Sequence, residues 1–294
     1  MSTGRAEPPS APAKKKAARP AASDNDGARS ILDIAPEDEA RNSTVDRALR
    51  VLEAFLVGEP QLGVLELSRQ LDLDKSVIHR ILATLVRRRF IEQDPASRRY
   101  QIGLRVWELG QRYLAGDQLE DLAERELTKV VGRHAYASAY LATLDGADVV
   151  VVTTVRGPGP INVYIDPGTR LAAELTATGR ALLAYLSDVQ MARAVNKRRR
   201  AGLGGRPSVA LSELRKELAL IRRTGFSISR GEYVPGIGTV AVAIRGTSGE
   251  PIAALSIDFL IAPETEDLWT ELPVELQASA EEIERVINGP AHSA

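Results

Sequence analysis

The stretch DKSVIHRILATLVRRRFIEQDPASRRYQIG, residues 74–103, decides how the N-terminal part of this chain folds. Ile78, Ile81, Leu82 and Leu85 recur at i, i+3, i+4 and i+7, which predicts an amphipathic helix starting near Asp74 with one buried face. At about 100° per residue, the opposite face carries Ser76, Arg80, Ala83 and Arg87, with Lys75 and His79 on its flank. Two short apolar stretches follow, Ile91–Gln93 and Tyr100–Ile102, separated by the turn DPASRR. They predict a β-hairpin with Arg98 and Arg99 at its tip.

Upstream, Val45, Ala48, Leu49, Leu52 and Phe55 fall at helical spacing behind a Ser43/Thr44 cap, and Gly58–Pro60 ends that helix. Val64, Leu65, Leu67 and Leu71 make a second, short helix, and only LDLD separates it from the third. Three helices, two of them joined by a tight turn, followed by a hairpin, make a winged helix-turn-helix. Between residues 75 and 105, Lys75, Arg80, Arg87, Arg88, Arg89, Arg98, Arg99 and Arg105 oppose only Glu92 and Asp94. The Arg87–Arg89 run alone also suits the solvated C-terminus of a helix. Combined with the polar helix face and the arginines of the wing, it points to double-stranded DNA. Ser76, His79 and Arg80 would read base edges, while Lys75, Arg87, Arg98 and Arg99 would anchor phosphates.

The rest of the composition bounds the alternatives. With 294 residues, 44% of them hydrophobic, the chain can build two cores. Its net charge of -1 is uninformative, so the local cluster carries the electrostatic signal. The absence of cysteine excludes disulfides, thiolate metal sites and cysteine nucleophiles, and fits the cytoplasm. No stretch has the length and hydropathy of a membrane span, so no membrane partner is expected. Residues 1–42, rich in Ala, Pro and charge, read as a disordered tail in which Lys14, Lys15 and Lys16 either touch phosphates or only add solubility.

Beyond the wing, Gln101–Gly116 carries Leu104, Trp107, Leu109 and Leu114 on a connecting helix, with Trp107 a candidate dimer anchor. A helix over Leu119–His134 opens the next segment, followed by a hairpin around Asp145–Gly146 and a strand at Ile161–Asp166. Helices are expected at Thr178–Leu186, Asp188–Lys197 and Ser212–Thr224. Strands are expected at FSISR, IGTVAVAIRG and PIAALSIDF, and a final helix at Pro273–Ile287. Strand pairs separated by helices give an α+β class with an antiparallel sheet covered by helices. The domain reading is a tail at 1–42, the winged helix at 43–103, a linker helix at 104–118 and a ligand domain at 119–290. His79, His134 and His292 assemble no metal or catalytic set, so neither a cofactor nor an enzyme is expected. RGPGP and PGIG lack the context of nucleotide loops. Thr176 and Thr178 open a helix whose amides could meet a polar ligand. Ser256 and Asp258 share one face of a strand, with Thr239 next door and Ser229 among the same small polar positions, which suggests a small-molecule pocket.

TVDRALRVLEAF, LDKSVIHRILATLVRRRFIEQDPASRRYQIG, LTATGRALLA and GEYVPGIGTVAVAI followed by PIAALSI resemble, in order, the motifs of the isocitrate-lyase-regulator (IclR) family of bacterial transcription factors. The resemblance implies a winged helix-turn-helix, a linker helix and a GAF-like effector domain, with homodimers or homotetramers on palindromic operators. Its ligand contacts, carried over by motif, fall on Ala177, Thr178, Ser229, Thr239, Ser256 and Asp258. Glu174 and Asp258 depart from the residues frequent in the family, a His and a small hydroxyl respectively. Both add negative charge, so the expected effector is neutral, cationic or aromatic-hydroxylic rather than a simple carboxylate. The expected role is a ligand-responsive repressor. An activator of the same architecture and an enzyme fused to a DNA-binding module are the alternatives.

Overall fold

The computed structural model describes residues 44–56, 59–114, 118–135, 137–159, 163–200 and 209–289. The expected tail at 1–42 lies outside them. The first core is built by α1 (Thr44–Glu53), α2 (Val64–Leu71), α3 (Lys75–Arg87) and the hairpin β1 (Ile91–Gln93) and β2 (Tyr100–Ile102). Ile78, Ile81, Leu82 and Leu85 are all buried, as their spacing requires, against Val51, Leu67 and Ile91. Each fully buried Leu or Ile contributes about 1.5–3 kcal/mol relative to an exposed one. The turn between α2 and α3 passes through Asp72 in the left-handed region, a conformation that Asp tolerates better than most residues, and the Ser68 hydroxyl donates to the Leu73 carbonyl at 2.6 Å. In the wing, Asp94 accepts hydrogen bonds from the Ala96 and Ser97 amides, closing the turn. Leu62 and Tyr100 exchange a pair of backbone hydrogen bonds, which ties the wing to the segment before α2.

After the connecting helix α4 (Leu104–Leu114), helix α5 (Gln118–Val131) leads into β3 (Ala137–Asp145), β4 (Asp148–Arg156) and β5 (Arg170–Ala172). Helices α6 (Ala177–Leu183), α7 (Asp188–Arg200) and α8 (Leu211–Thr224) follow. Strands β6 (Ser227–Arg230), β7 (Ile237–Arg245) and β8 (Pro251–Leu260), then helix α9 (Leu268–Ile287), complete the order. The six strands form one antiparallel sheet in the order β5-β4-β3-β8-β7-β6. Alternation along β8 sorts its residues between the two faces. Ala253, Leu255, Ile257 and Phe259 join the core with residues of α5 and α9. Ala254 packs on the other face, with Leu182, Met191, Leu214 and Leu218 from α6, α7 and α8. Ser256 and Asp258 stand on this second face.

Two expected elements differ. Residues 163–166 are not a strand, although Ile161–Asp166 alternates like one. Arg170–Ala172 and the backbone hydrogen bonds of Val151 with Gly168 and Thr169 occupy residues 148–151 of that edge of β4, and further along the Thr154 hydroxyl donates to the Ile165 carbonyl at 2.7 Å, a side-chain contact in place of a ladder. The apolar residues of 163–166 face a cavity instead. The last helix begins at Leu268, not at Pro273, because Leu268, Trp269 and Leu272 bury themselves in the core and outweigh the hydrogen bond that Pro273 cannot make. Among the described residues, no helix is long and apolar enough to cross a membrane.

Candidate functional site

Helix α3 and the wing present the candidate DNA interface. Lys75, Ser76, His79, Arg80 and Arg87 are exposed on α3, and Arg98 is exposed in the wing turn with a positive φ of 60°. Arg80 also borders a cleft between α1 and α3, together with Arg47 and Thr84. Arg47 is a basic residue that the reading of α3 alone overlooked. Two acids of this half, Asp94 and Glu66, are held by hydrogen bonds within the fold. Amides of Ser97 and Ala96 keep the Asp94 carboxyl below its usual range, and the Gly63 amide does the same for Glu66, helped by Arg99.

Arg99 does not stand with the others. Its Nη2 donates to the Gln61 carbonyl and to Glu66, both at 2.7 Å, and its Nε reaches the same carbonyl at 3.2 Å. The pairing of Leu62 with Tyr100 brings Gln61 within reach, a contact that hairpin reasoning could not supply. Arg99 therefore clamps the wing to the start of α2. Arg99→Ala is expected to lower stability by about 1 kcal/mol in urea denaturation, the range of a partly exposed hydrogen-bonded cation. The salt dependence of DNA binding should hardly change. A salt slope lower by about 0.9 would mean that Arg99 pairs with a phosphate.

The second candidate site is a cavity of about 360 Å³ on the helix α6 side of the sheet. Ala177, Ser229, Thr239 and Asp258, four of the six expected ligand contacts, stand in its wall. Thr178 and Ser256 do not line it. Both are fully buried behind it, where the Ser256 hydroxyl donates to Thr178 Oγ1 at 2.8 Å and Tyr140 Oη lies 2.8 Å from the same atom. The register explains this grouping: Tyr140 pairs with Ser256, and Thr239 pairs with Asp258. Gly179, in the first turn of α6, packs so closely on Ala173 that an added Cβ would meet backbone atoms at 2.2 Å. Thr176 caps α6 by accepting from the Gly179 amide. The cap takes up one of the first-turn amides of this seven-residue helix. Glu174 is buried but lies outside the wall.

Sequence reasoning missed Tyr140, Tyr164, Asp166, Thr169 and Tyr233, which also line the cavity. Tyr164 and Asp166 sit in the segment whose alternation suggests a strand. Tyr233 is carried by the turn between β6 and β7, where Gly231 and Gly236 both have positive φ. Burial pushes the Asp258 carboxyl up to about 7, against hydrogen bonds from Thr239 and Tyr140 that favour its charged form. Burial, and then the charge of Asp258, hold the Tyr140 hydroxyl well above its usual range. At Glu232 burial acts upward too, but the Ser229 hydroxyl, backbone amides and the charge of Arg180 outweigh it and keep the acid low. Asp258 Oδ1 is buried and has no hydrogen-bond partner among the described residues.

Comparison with known proteins agrees with both halves of this architecture. Residues 44–95 match the IclR helix-turn-helix domain, and residues 111–285 match the C-terminal domain of the bacterial transcriptional regulator IclR. The chain is 30% identical over 221 residues to the glycerol operon regulatory protein of Streptomyces coelicolor, spanning 74% of this chain and 85% of that protein. It is 25% identical over 248 residues to the acetate operon repressor of Salmonella typhimurium, spanning 84% and 90% of the two chains. The crystal structure of an IclR transcriptional regulator from Alicyclobacillus acidocaldarius superposes with a TM-score of 0.69 at 27% identity, covering 82% of this chain and 97% of the other. A winged helix with a basic recognition helix, joined to a helix-covered antiparallel sheet, is thus shared with proteins that regulate transcription by binding DNA, and this chain belongs to the IclR family of bacterial transcriptional regulators.

Proposed function

We propose that this protein is a repressor whose affinity for a palindromic operator is set by a small molecule bound in the C-terminal domain. The observation that carries the ligand-responsive part is the cavity, which is polar on the sheet side and gathers Ala177, Ser229, Thr239 and Asp258 from three strands and one helix. Repression rests on relatives such as the Salmonella protein, which is named a repressor. In this reading residues 43–103 bind DNA, 104–118 link, and 119–290 hold the effector. Lys75, Ser76, His79, Arg80, Arg87 and Arg98 form the DNA face.

Leu104, Trp107 and Leu109 on α4 are 62%, 61% and 55% exposed. Leu104 and Trp107, three residues apart, share one side of α4 while Leu109 lies on the other, and an exposed apolar pair of this kind suits a helix that pairs with a second copy, so the operator would be palindromic. A ligand bound more tightly in one geometry of that assembly would shift operator affinity. A coupling of about 1–3 kcal/mol changes it roughly 5–150-fold.

Genomic DNA fragments captured by the purified full-length protein at about 150 mM salt test this reading. An inverted repeat should be enriched, and the protein should sediment as a dimer or tetramer. Enrichment no better than on random DNA would remove the operator reading, and a monomer would remove the palindrome.

A further inference from the structure

The cavity restricts the chemistry of what it can hold; this inference rests on reading it as the effector site. Among the described residues its charged lining is of one sign. Asp258 stands in the wall and Asp166 is exposed there, while no lysine, arginine or histidine lines it. Arg156 stacks on the Tyr164 ring, 3.8 Å from its centroid, and Arg180 pairs with Glu217 at 2.8 Å; neither contributes to the wall.

Two hydroxyls of the wall have their protons engaged within the fold. A hydroxyl has one proton to give. Ser229 donates its proton to Glu232 at 2.5 Å, and Thr176 donates to the Ala172 carbonyl at 3.1 Å. Each leaves lone pairs toward the cavity, beside the unpartnered oxygen of Asp258. Asp258 is 4% exposed and keeps one oxygen unpartnered, so it lacks a countercharge or a full set of donors. An anionic ligand would meet like charge with no cationic side chain in the wall, whereas an N–H or O–H donor would find a waiting acceptor at Asp258. Tyr140, Tyr164 and Tyr233 add aromatic surface that suits an apolar ring and, at its face, a cation.

We propose that the cavity takes a small ring-bearing ligand that has no negative charge and donates a hydrogen bond, from an ammonium or a hydroxyl group, to the Asp258 carboxylate. Binding would place the donor at the sheet wall and the ring among the tyrosines. The ligand thereby supplies what the fold leaves missing at Asp258.

Four nearly isosteric probes separate the possibilities on the full-length protein: phenethylamine, 2-phenylethanol, acetophenone and phenylacetate. Titration calorimetry at slightly alkaline pH should show the amine and the alcohol binding about tenfold or more tighter than the ketone and the acid, which lack the donor. Asp258→Asn should abolish the preference of amine over acid while leaving the circular dichroism spectrum unchanged. Phenylacetate binding as tightly as phenethylamine, or no probe binding at millimolar concentration, overturns the proposal, and the wild-type series decides this even if the variant does not fold. The effector reading fails separately if phenethylamine binds in an Asp258-dependent way yet leaves the affinity for the captured DNA unchanged.

Discussion

Asp258→Asn is expected to flatten the fall in stability of this protein between pH 5 and pH 8. In the folded chain the Asp258 carboxyl is held up to about 7, against 3.8 for the free side chain. Between those values the folded state binds more protons than the unfolded state. Unfolding free energy therefore drops as pH rises through this window and levels off above about 7. Each pH unit crossed inside the window removes about 1.36 kcal/mol, so the wild-type protein should lose about 2–3 kcal/mol from this group between pH 5 and pH 8. Asparagine is nearly isosteric and cannot ionise, so its curve lacks that loss. Glu232, held low in both proteins, cancels in the difference, and burial keeps Tyr140 protonated throughout. Urea denaturation of both proteins at several pH values measures the effect. Parallel curves would mean that Asp258 ionises freely and that its unpartnered oxygen finds water. A ligand ammonium should restore wild-type stability more at pH 8 than at pH 5.

Arg80→Ala should weaken binding to the captured operator by about 1–3 kcal/mol while leaving random DNA nearly unaffected, provided its guanidinium reads a guanine edge. Helix α3 presents Arg80 on the exposed face opposite Ile78, Ile81, Leu82 and Leu85, which lock the helix into its core. A helix fixed so firmly on one side can hold a reading side chain in register on the other. Equal loss on both DNAs, together with a salt slope lower by about 0.9, would assign Arg80 to a phosphate instead. Fluorescence anisotropy over a salt series distinguishes the two roles.

The agreement between sequence and fold is uneven, and the unevenness has a cause. Helix α3 is legible in its buried face, and β1 and β2 in their bounds, because their signals are local: a 3.6-residue apolar period, then a turn whose Asp caps its own backbone. Segment 163–166 is not, since alternating Val163 and Ile165 describe a surface facing something apolar, and a cavity satisfies that pattern as well as a sheet does. Pro273 looks like a helix start because its local restriction is strong, yet burial of Leu268, Trp269 and Leu272 prevails.

By itself, then, the sequence determined the helices and most strands, the alternation that puts Ser256 and Asp258 on one face, and the basic surface of α3. Those depend on periods of two and 3.6 residues and on nearest neighbours along the chain. The tertiary structure alone decided which polar residues meet. It turned Arg99 inward by pairing Leu62 with Tyr100, moved Thr178 and Ser256 behind the cavity, and set Tyr140 beside them through the register of β3 on β8. It also left Asp258 buried with an unpartnered oxygen, because desolvation and missing partners are properties of a packed volume, which no linear pattern encodes.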